Sequence, residues 1–185
     1  KIQNYRNILR RYIRDYGENE DINRAVQVLE RAKRDVLKAQ DKTELIGYEG
    51  MASNAYFEVL PILILNQKTD FPFHGRNRRP PKDAVNAMLS FAYTLIANDV
   101  AAALETVGLD PYVGFLHTLR PGRTSLALDM MEELRAYLGD RFILSLINKR
   151  QISVKDFLFQ GDNGVVMTDK GKKTFITAWQ ARKRE

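Results

Sequence analysis

PKDAVNAMLSFAYTLIANDVAAALETVG, residues 81–108, decides the fold. Val85, Met88, Leu89, Ala92, Leu95, Ile96 and Val100 recur at three- and four-residue steps, the period of a helix that buries one face. Proline suits the first helical turn, so the helix is predicted to begin at Pro80 or Pro81, and Gly108 stops it.

Working outward, the same period dominates. Toward the N-terminus, Ile2, Tyr5, Ile8, Leu9, Tyr12, Ile13 and Tyr16 form one stripe, closed by Gly17. A second helix opens near Asp21 and carries Ile22, Ala25, Val26, Leu29, Ala32 and Val36. Asp41 followed by Glu44 has capping-box-like spacing and predicts a third helix, through Glu49 and Tyr56 toward Pro61. Gly47 and Gly50 lie inside it, and each costs about 1 kcal/mol relative to alanine, so a packing or functional reason is expected. Residues 66–81, NQKTDFPFHGRNRRPP, read as a loop. Toward the C-terminus, the link LDPYVGFLHTLRPGR (109–123) leads to a long helix predicted from about Thr124 to Asn148. FLFQGDNGVVMT (157–168) reads as a hairpin turning at Asp162-Asn163-Gly164, and Thr168 caps a last helix. The expectation is a mainly α-helical bundle of about six to eight helices with one small β-hairpin near the C-terminus, without repeat or internal boundary.

Composition narrows the function. The 185 residues suit one domain, and 44% hydrophobic content supplies a core. No cysteine is present, which removes disulfides, cysteine zinc sites and thiol nucleophiles and fits a reducing, cytoplasmic location. The longest uninterrupted apolar run, Val59–Leu65, is too short to span a bilayer, so no membrane partner is expected. Lysine and arginine total 29 against 23 acids, a net charge of +6. That charge is modest but clustered. Arg76, Arg78, Arg79 and Lys82 form one knot, Arg120 and Arg123 another, and Lys170, Lys172, Lys173 and Arg182–Arg184 a basic end. Each suits a solvated face, and three together suit a surface that binds phosphates.

The motifs for nucleotide phosphate loops, zinc proteases and serine triads are absent. What remains is acids and histidine. His117 sits in GFLHTLRPGR, ahead of the long helix. Asp129 and Glu132, three apart, project from one face of it, beside an apolar stripe of Leu126, Met130 and Leu134. Glu49 stands among small neighbours in GYEGMAS. A glutamate, a histidine and a second carboxylate make an open, oxygen-rich site of the kind that suits Mn2+ or Mg2+. Spacing alone does not establish such a site, and on spacing the plainer alternative leads: a hydrogen-bonding loop histidine and solvent-facing acids.

GYEGMASNAYF (47–57), HGRNRRPPKDAVNAMLSFAYTLIANDVAAALETVGLDPYVGFLH (74–117) and RPGRTSLALDMMEELR (120–135) resemble the CRISPR-associated spacer integrases, the Cas1 family, and most of all the branch found with type I-C systems. The resemblance runs from about Glu44 to Trp179. It implies that residues 1–185 form a single helical catalytic domain, without the family's N-terminal β-domain and C-terminal tail. It implies catalytic metal ligands at Glu49, His117 and Glu132, with Asp129 one turn back as a second-rank acid, and Mn2+ or Mg2+ as the ion. Asn54 stands where the family often has arginine, which weakens one expected DNA contact.

The activity implied is transesterification, in which the 3′-hydroxyl of a prespacer attacks a phosphodiester at the edge of a CRISPR repeat. The implied partners are double-stranded DNA, a second copy in the intact protein and the small protein Cas2. Arg76, Arg78 and Arg79 would hold phosphates, with Arg120 and Arg123 as further DNA contacts. Asn86 and Tyr93 share a stripe of the 81–106 helix and either position a strand end or simply pack. The rival reading is a DNA-binding helical module that is catalytically silent because the β-domain and its dimer are missing.

Overall fold

A computed structural model describes residues 1–184. Side-chain caps and stop residues set the elements in order. Helix α1 (Ile2–Tyr16) ends at Gly17, whose φ of 93° falls where a side chain is disfavoured. Asn19 begins α2 (Glu20–Val36) by accepting from the amides of Asp21 and Ile22. Asp41 begins α3 (Lys42–Val59) by accepting from Glu44 N at 2.8 Å, and Glu44 answers to Gln40 N, so the box closes one residue early.

Helix α4 (Ala84–Thr106) starts later than its prolines predict. Asp83 is the cap: its Oδ1 accepts from Asn86 N at 2.7 Å, and its Oδ2 accepts from the Asn86 amide at 2.7 Å. Pro80 and Pro81 stay in the preceding loop, where Pro81 O takes a hydrogen bond from Val165 N at 2.8 Å.

The long helix predicted over 124–148 is interrupted. Helix α5 (Ser125–Leu134) passes into a π-helical turn, Arg135–Asp140, and then α6 (Arg141–Asn148). The turn lies against α4. A Cβ on Gly139 would stand 3.1 Å from the Tyr93 ring, and Asp140 accepts from Tyr93 Oη at 2.6 Å. The hairpin pairs β1 (Phe157–Phe159) with β2 (Val165–Met167) antiparallel, Phe157 opposite Met167, with a short 3-10 turn between them. Thr168 caps α7 (Asp169–Lys183) through Gly171 N at 3.0 Å. The described residues therefore form seven α-helices and one two-stranded sheet, the mainly α architecture expected.

One apolar core joins α1 through α7 and the hairpin, with Tyr5, Tyr56, Phe71, Phe175 and Trp179 among its fully buried members. By length and composition α4 is apolar enough to cross a membrane, but its face from Ala84 to Leu89, with Ala92, Tyr93 and Ile96, is buried in this core. A helix apolar all round is what a packed centre requires. Gly47 and Gly50 have no packing reason, because a Cβ at either would meet nothing within 4 Å.

Candidate metal centre and DNA-facing cleft

Three segments meet at one edge of the bundle. Helix α3 brings Glu49, α5 brings Asp129 and Glu132, and the loop between α4 and α5 brings His117. Lys1, at the start of α1, lies among them. Its ammonium donates to Glu49 Oε1 and stands 2.7 Å from Glu132 Oε2. Two carboxylates distant in sequence thus converge on one cation. Glu132 Oε1 pairs with the Arg135 guanidinium at 2.9 Å, one turn along. Glu132 Oε2 is buried and has no aligned hydrogen-bond donor, so only the ammonium's charge compensates it.

Asp129 has a different task. Its carboxylate accepts from the amides of Phe115 (2.7 Å), Leu116 (2.9 Å) and His117 (2.9 Å) and meets His117 Nδ1 at 2.6 Å. Burial alone would raise its pKa, but the three amides and the imidazole together hold it below the ordinary carboxylate value. An ionised carboxylate only accepts, so Nδ1 donates, and a neutral ring keeps its lone pair on Nε2. Metal-binding histidines are oriented in this way by a carboxylate behind the ring.

Of the three expected ligands, only two share a partner. Glu49 and Glu132 come together, and His117 is joined to Asp129 instead. Among the described residues no three histidines or acids are gathered into a group able to hold an ion. The residues still fit a hard divalent cation in two ways: a positive charge already sits between Glu49 and Glu132, and a buried oxygen of Glu132 has no aligned donor. Glu49, Asp129 and Glu132 line a cavity of about 370 Å³ with apolar walls from Ile2, Leu45 and Leu116.

On the other side of Glu49 lies a cleft of about 290 Å³, which Asn54, Arg76, Arg78 and Arg135 line. Here Arg76 differs in its surroundings from Arg78 and Arg79, with which the sequence groups it as a phosphate contact. Arg76 is half-buried: it donates to Asn77 O, to Asn86 Oδ1 at 2.8 Å and to Ser90 Oγ at 3.1 Å, and lies over the Tyr93 ring. Burial lowers its pKa. Arg78 and Arg79 are exposed. Arg120 and Arg123 flank the turn at Gly122, Arg120 exposed and Arg123 half-buried.

Asn86 packs in the interior, whereas Tyr93, largely buried, still lines this cleft. Asn86 is fully buried and ties the loop down, accepting from Asn77 N at 3.0 Å and donating to Gly75 O at 2.9 Å. Tyr93 gives its hydroxyl to Asp140, which is wholly buried. Burial pushes the Asp140 carboxyl up to about 6, against the opposing effects of the Tyr93 and Tyr56 hydroxyls and of Arg135. Sequence reasoning missed this layer. The three-residue spacing of Glu132 and Arg135 was a visible signal, but nothing local marks Asp140.

The chain matches the family model "CRISPR associated protein Cas1" over residues 1–181. It is 50% identical over 188 aligned positions to a CRISPR-associated endonuclease Cas1 of Chlorobaculum tepidum, aligned over 100% of this chain and 55% of that protein. A solved Cas1 protein from Thermotoga maritima superimposes with a TM-score of 0.81 at 29% identity, over 100% of this chain and 55% of that one. A chain in a partial Cas6-RT-Cas1–Cas2 complex gives a TM-score of 0.85 at 25% identity, over 98% of this chain and 55% of that one. The chain thus spans about half the length of these relatives.

Proposed function

The chain belongs to the CRISPR-associated Cas1 family of endonucleases and integrases, and from that premise we propose that it carries the metal-dependent strand-transfer centre for spacer acquisition. The observation that carries the reading is the meeting of Glu49 and Glu132 on the Lys1 ammonium, with Asp129, three residues before Glu132 on α5, holding His117 of the preceding loop.

The reaction exchanges one phosphodiester for another. The prespacer 3′-hydroxyl gives up its proton as its oxygen bonds to phosphorus, the bond from that phosphorus to the repeat's 3′-oxygen breaks, and the released 3′-oxygen takes up a proton. No energy-rich cofactor is consumed. Glu49 and Glu132 would hold a Mn2+ or Mg2+ ion with His117 Nε2 as third donor. Such an ion, when bound, offsets charge on the phosphoryl oxygens and lowers the pKa of the attacking hydroxyl. Asp129 fixes the imidazole and the loop behind it. Arg135 fixes the Glu132 carboxylate. Arg78 and Arg79 supply exposed guanidinium groups to the DNA phosphates, which set register without reading sequence. Cas2 is a proposed partner, in line with the Cas1–Cas2 complex among the similar structures, and a second copy is proposed beside it.

The test is Mn2+ affinity together with strand transfer in full-length protein. Glu49→Gln and Glu132→Gln should each lower Mn2+ affinity and abolish transfer. Asp129→Ala should weaken transfer less than Glu132→Gln. Wild-type Mn2+ affinity in Glu132→Gln, with affinity lost in Asp129→Ala, would move the ligand back by one turn.

A further inference from the structure

Lys1 is built into the carboxylate pair. Its backbone opens α1: the carbonyl accepts from the amides of Asn4 at 2.9 Å and Tyr5 at 3.1 Å, and Asn4 donates onward to Glu133 O at 2.8 Å. The start of α1 is thus tied to α5 by contacts that do not involve the ammonium. The Lys1 side chain is only 10% exposed and crosses to α3 and α5. Its ammonium donates to Glu49 Oε1, lies 2.7 Å from Glu132 Oε2 and stands 5.8 Å from the centre of the Tyr5 ring, whose face also favours a cation.

Two acids brought together repel unless a cation lies between them. Lys1 is that cation for Glu49 and Glu132, and Arg135 meets the other oxygen of Glu132 at 2.9 Å. The two carboxylates are therefore matched by two positive side chains. A divalent ion that both carboxylates bind at about 2.1 Å needs the point that the ammonium fills. Ion and ammonium cannot share it, because like charges in contact repel strongly where water is scarce. Arg135 does not obstruct that point: it approaches Glu132 from the opposite oxygen and rests 4.7 Å from the Tyr93 ring centre.

Lysine has the means to yield. Its flexible four-carbon stem lets the ammonium swing while the helix stays in place. Lys1 lines both cavities that flank Glu49, one with Asp129 and Glu133, the other with Arg76, Arg78 and Arg135. The first suits a released ammonium better. Glu133 is exposed there, and Lys33 on its wall already donates to Gln3 Oε1 at 2.7 Å, whereas arginines crowd the second.

We propose that Lys1 is a built-in competitor at the metal centre: its ammonium holds Glu49 and Glu132 together in the place of a divalent ion and is displaced when an ion binds. This rests on the metal-centre reading above and adds to it the exchange by which the ion enters. Ion loading is then weaker than the same acids would give without the lysine.

The experiment titrates Mn2+ into full-length protein without DNA and reads free Mn2+ from its electron paramagnetic resonance signal. Lys1→Met keeps the reach of the side chain and removes its charge, so it should bind Mn2+ about tenfold or more tightly than wild type. Lys33→Met removes an equal charge from the same cavity but no contact with either carboxylate, and it should change the affinity by less than about threefold. A second measurement needs no variant. Acetylation of Lys1, followed by mass spectrometry, should run about threefold or more faster with saturating Mg2+, as displacement exposes the amine, while Lys173, exposed on α7, should react at an unchanged rate. Wild-type or weaker Mn2+ affinity in Lys1→Met, equal tightening in Lys33→Met, or Lys1 acetylation unmoved by Mg2+ overturns the exchange and leaves the metal centre standing. Wild-type Mn2+ affinity in both Glu49→Gln and Glu132→Gln overturns the centre and the exchange together.

Discussion

Arg76 and Arg78 both line the cleft beside Glu49, but Arg76 is half-buried and tied to Asn77, Asn86 and Ser90, whereas Arg78, two residues on, is exposed. A sequence pattern treats the two alike, but their surroundings do not. Removing Arg76 leaves Asn86 Oδ1 short of a donor and frees a loop that α4 now holds. We expect Arg76→Ala to lower unfolding free energy by about 1–3 kcal/mol. Arg78→Ala and Arg79→Ala should leave stability within about 0.5 kcal/mol of wild type. Each should instead flatten the salt dependence of duplex binding by about 0.9 in log–log slope. Denaturant titration and binding against salt separate the two roles, and an unchanged slope in the double Arg78/Arg79 variant would leave that pair no phosphate role.

At the scale of elements, the link between α4 and α5 folds back because Asp129 collects its amides. Gly114 permits the approach: a Cβ there would lie 2.7 Å from the Ser125 backbone carbon and Cβ and 2.8 Å from Asp129 Oδ2. Since backbone cannot give way cheaply, Gly114→Ala should destabilise the protein by about 1–3 kcal/mol and release His117 from Asp129. Urea denaturation measures the first effect, and NMR of the His117 ring measures the second. A variant with wild-type stability and an unmoved imidazole would show that the link is looser than its contacts imply.

Across the whole molecule, Asp140 joins separate elements: it lies in the turn between α5 and α6, bonds to Tyr93 on α4 and sits near Tyr56 on α3. Its folded pKa of about 6 stands above the ordinary value of 3.8. The folded protein therefore binds this proton more readily than the unfolded chain does. Stability from this group is fully present below about 3.8 and is lost as pH rises through about 6. Asp140→Asn removes that titration. The stability of wild type relative to Asp140→Asn should fall, by an amount on the order of 3 kcal/mol, between pH about 4 and about 6. Denaturant midpoints in paired buffers measure it, and a difference constant with pH would mean that Asp140 does not titrate in this range.

The sequence by itself determined the helices, because apolar spacing and capping residues act within a few positions of one another. Gly17, Asp41 and Thr168 end or begin elements as local chemistry requires. The acids and the histidine were legible as residue types, and the resemblance named Glu49, His117 and Glu132. Tertiary structure decided which of them meet. Lys1 joins Glu49 to Glu132, and Asp129 takes His117, because those contacts depend on how α1, α3 and α5 pack. It also decided that Asp83 rather than a proline starts α4, and that a π turn divides the last long helix where Gly139 and Asp140 meet Tyr93. Burial set Arg76 and Asn86 apart from the exposed Arg78 and Arg79. Burial depends on the whole packed chain, and no local spacing carries it.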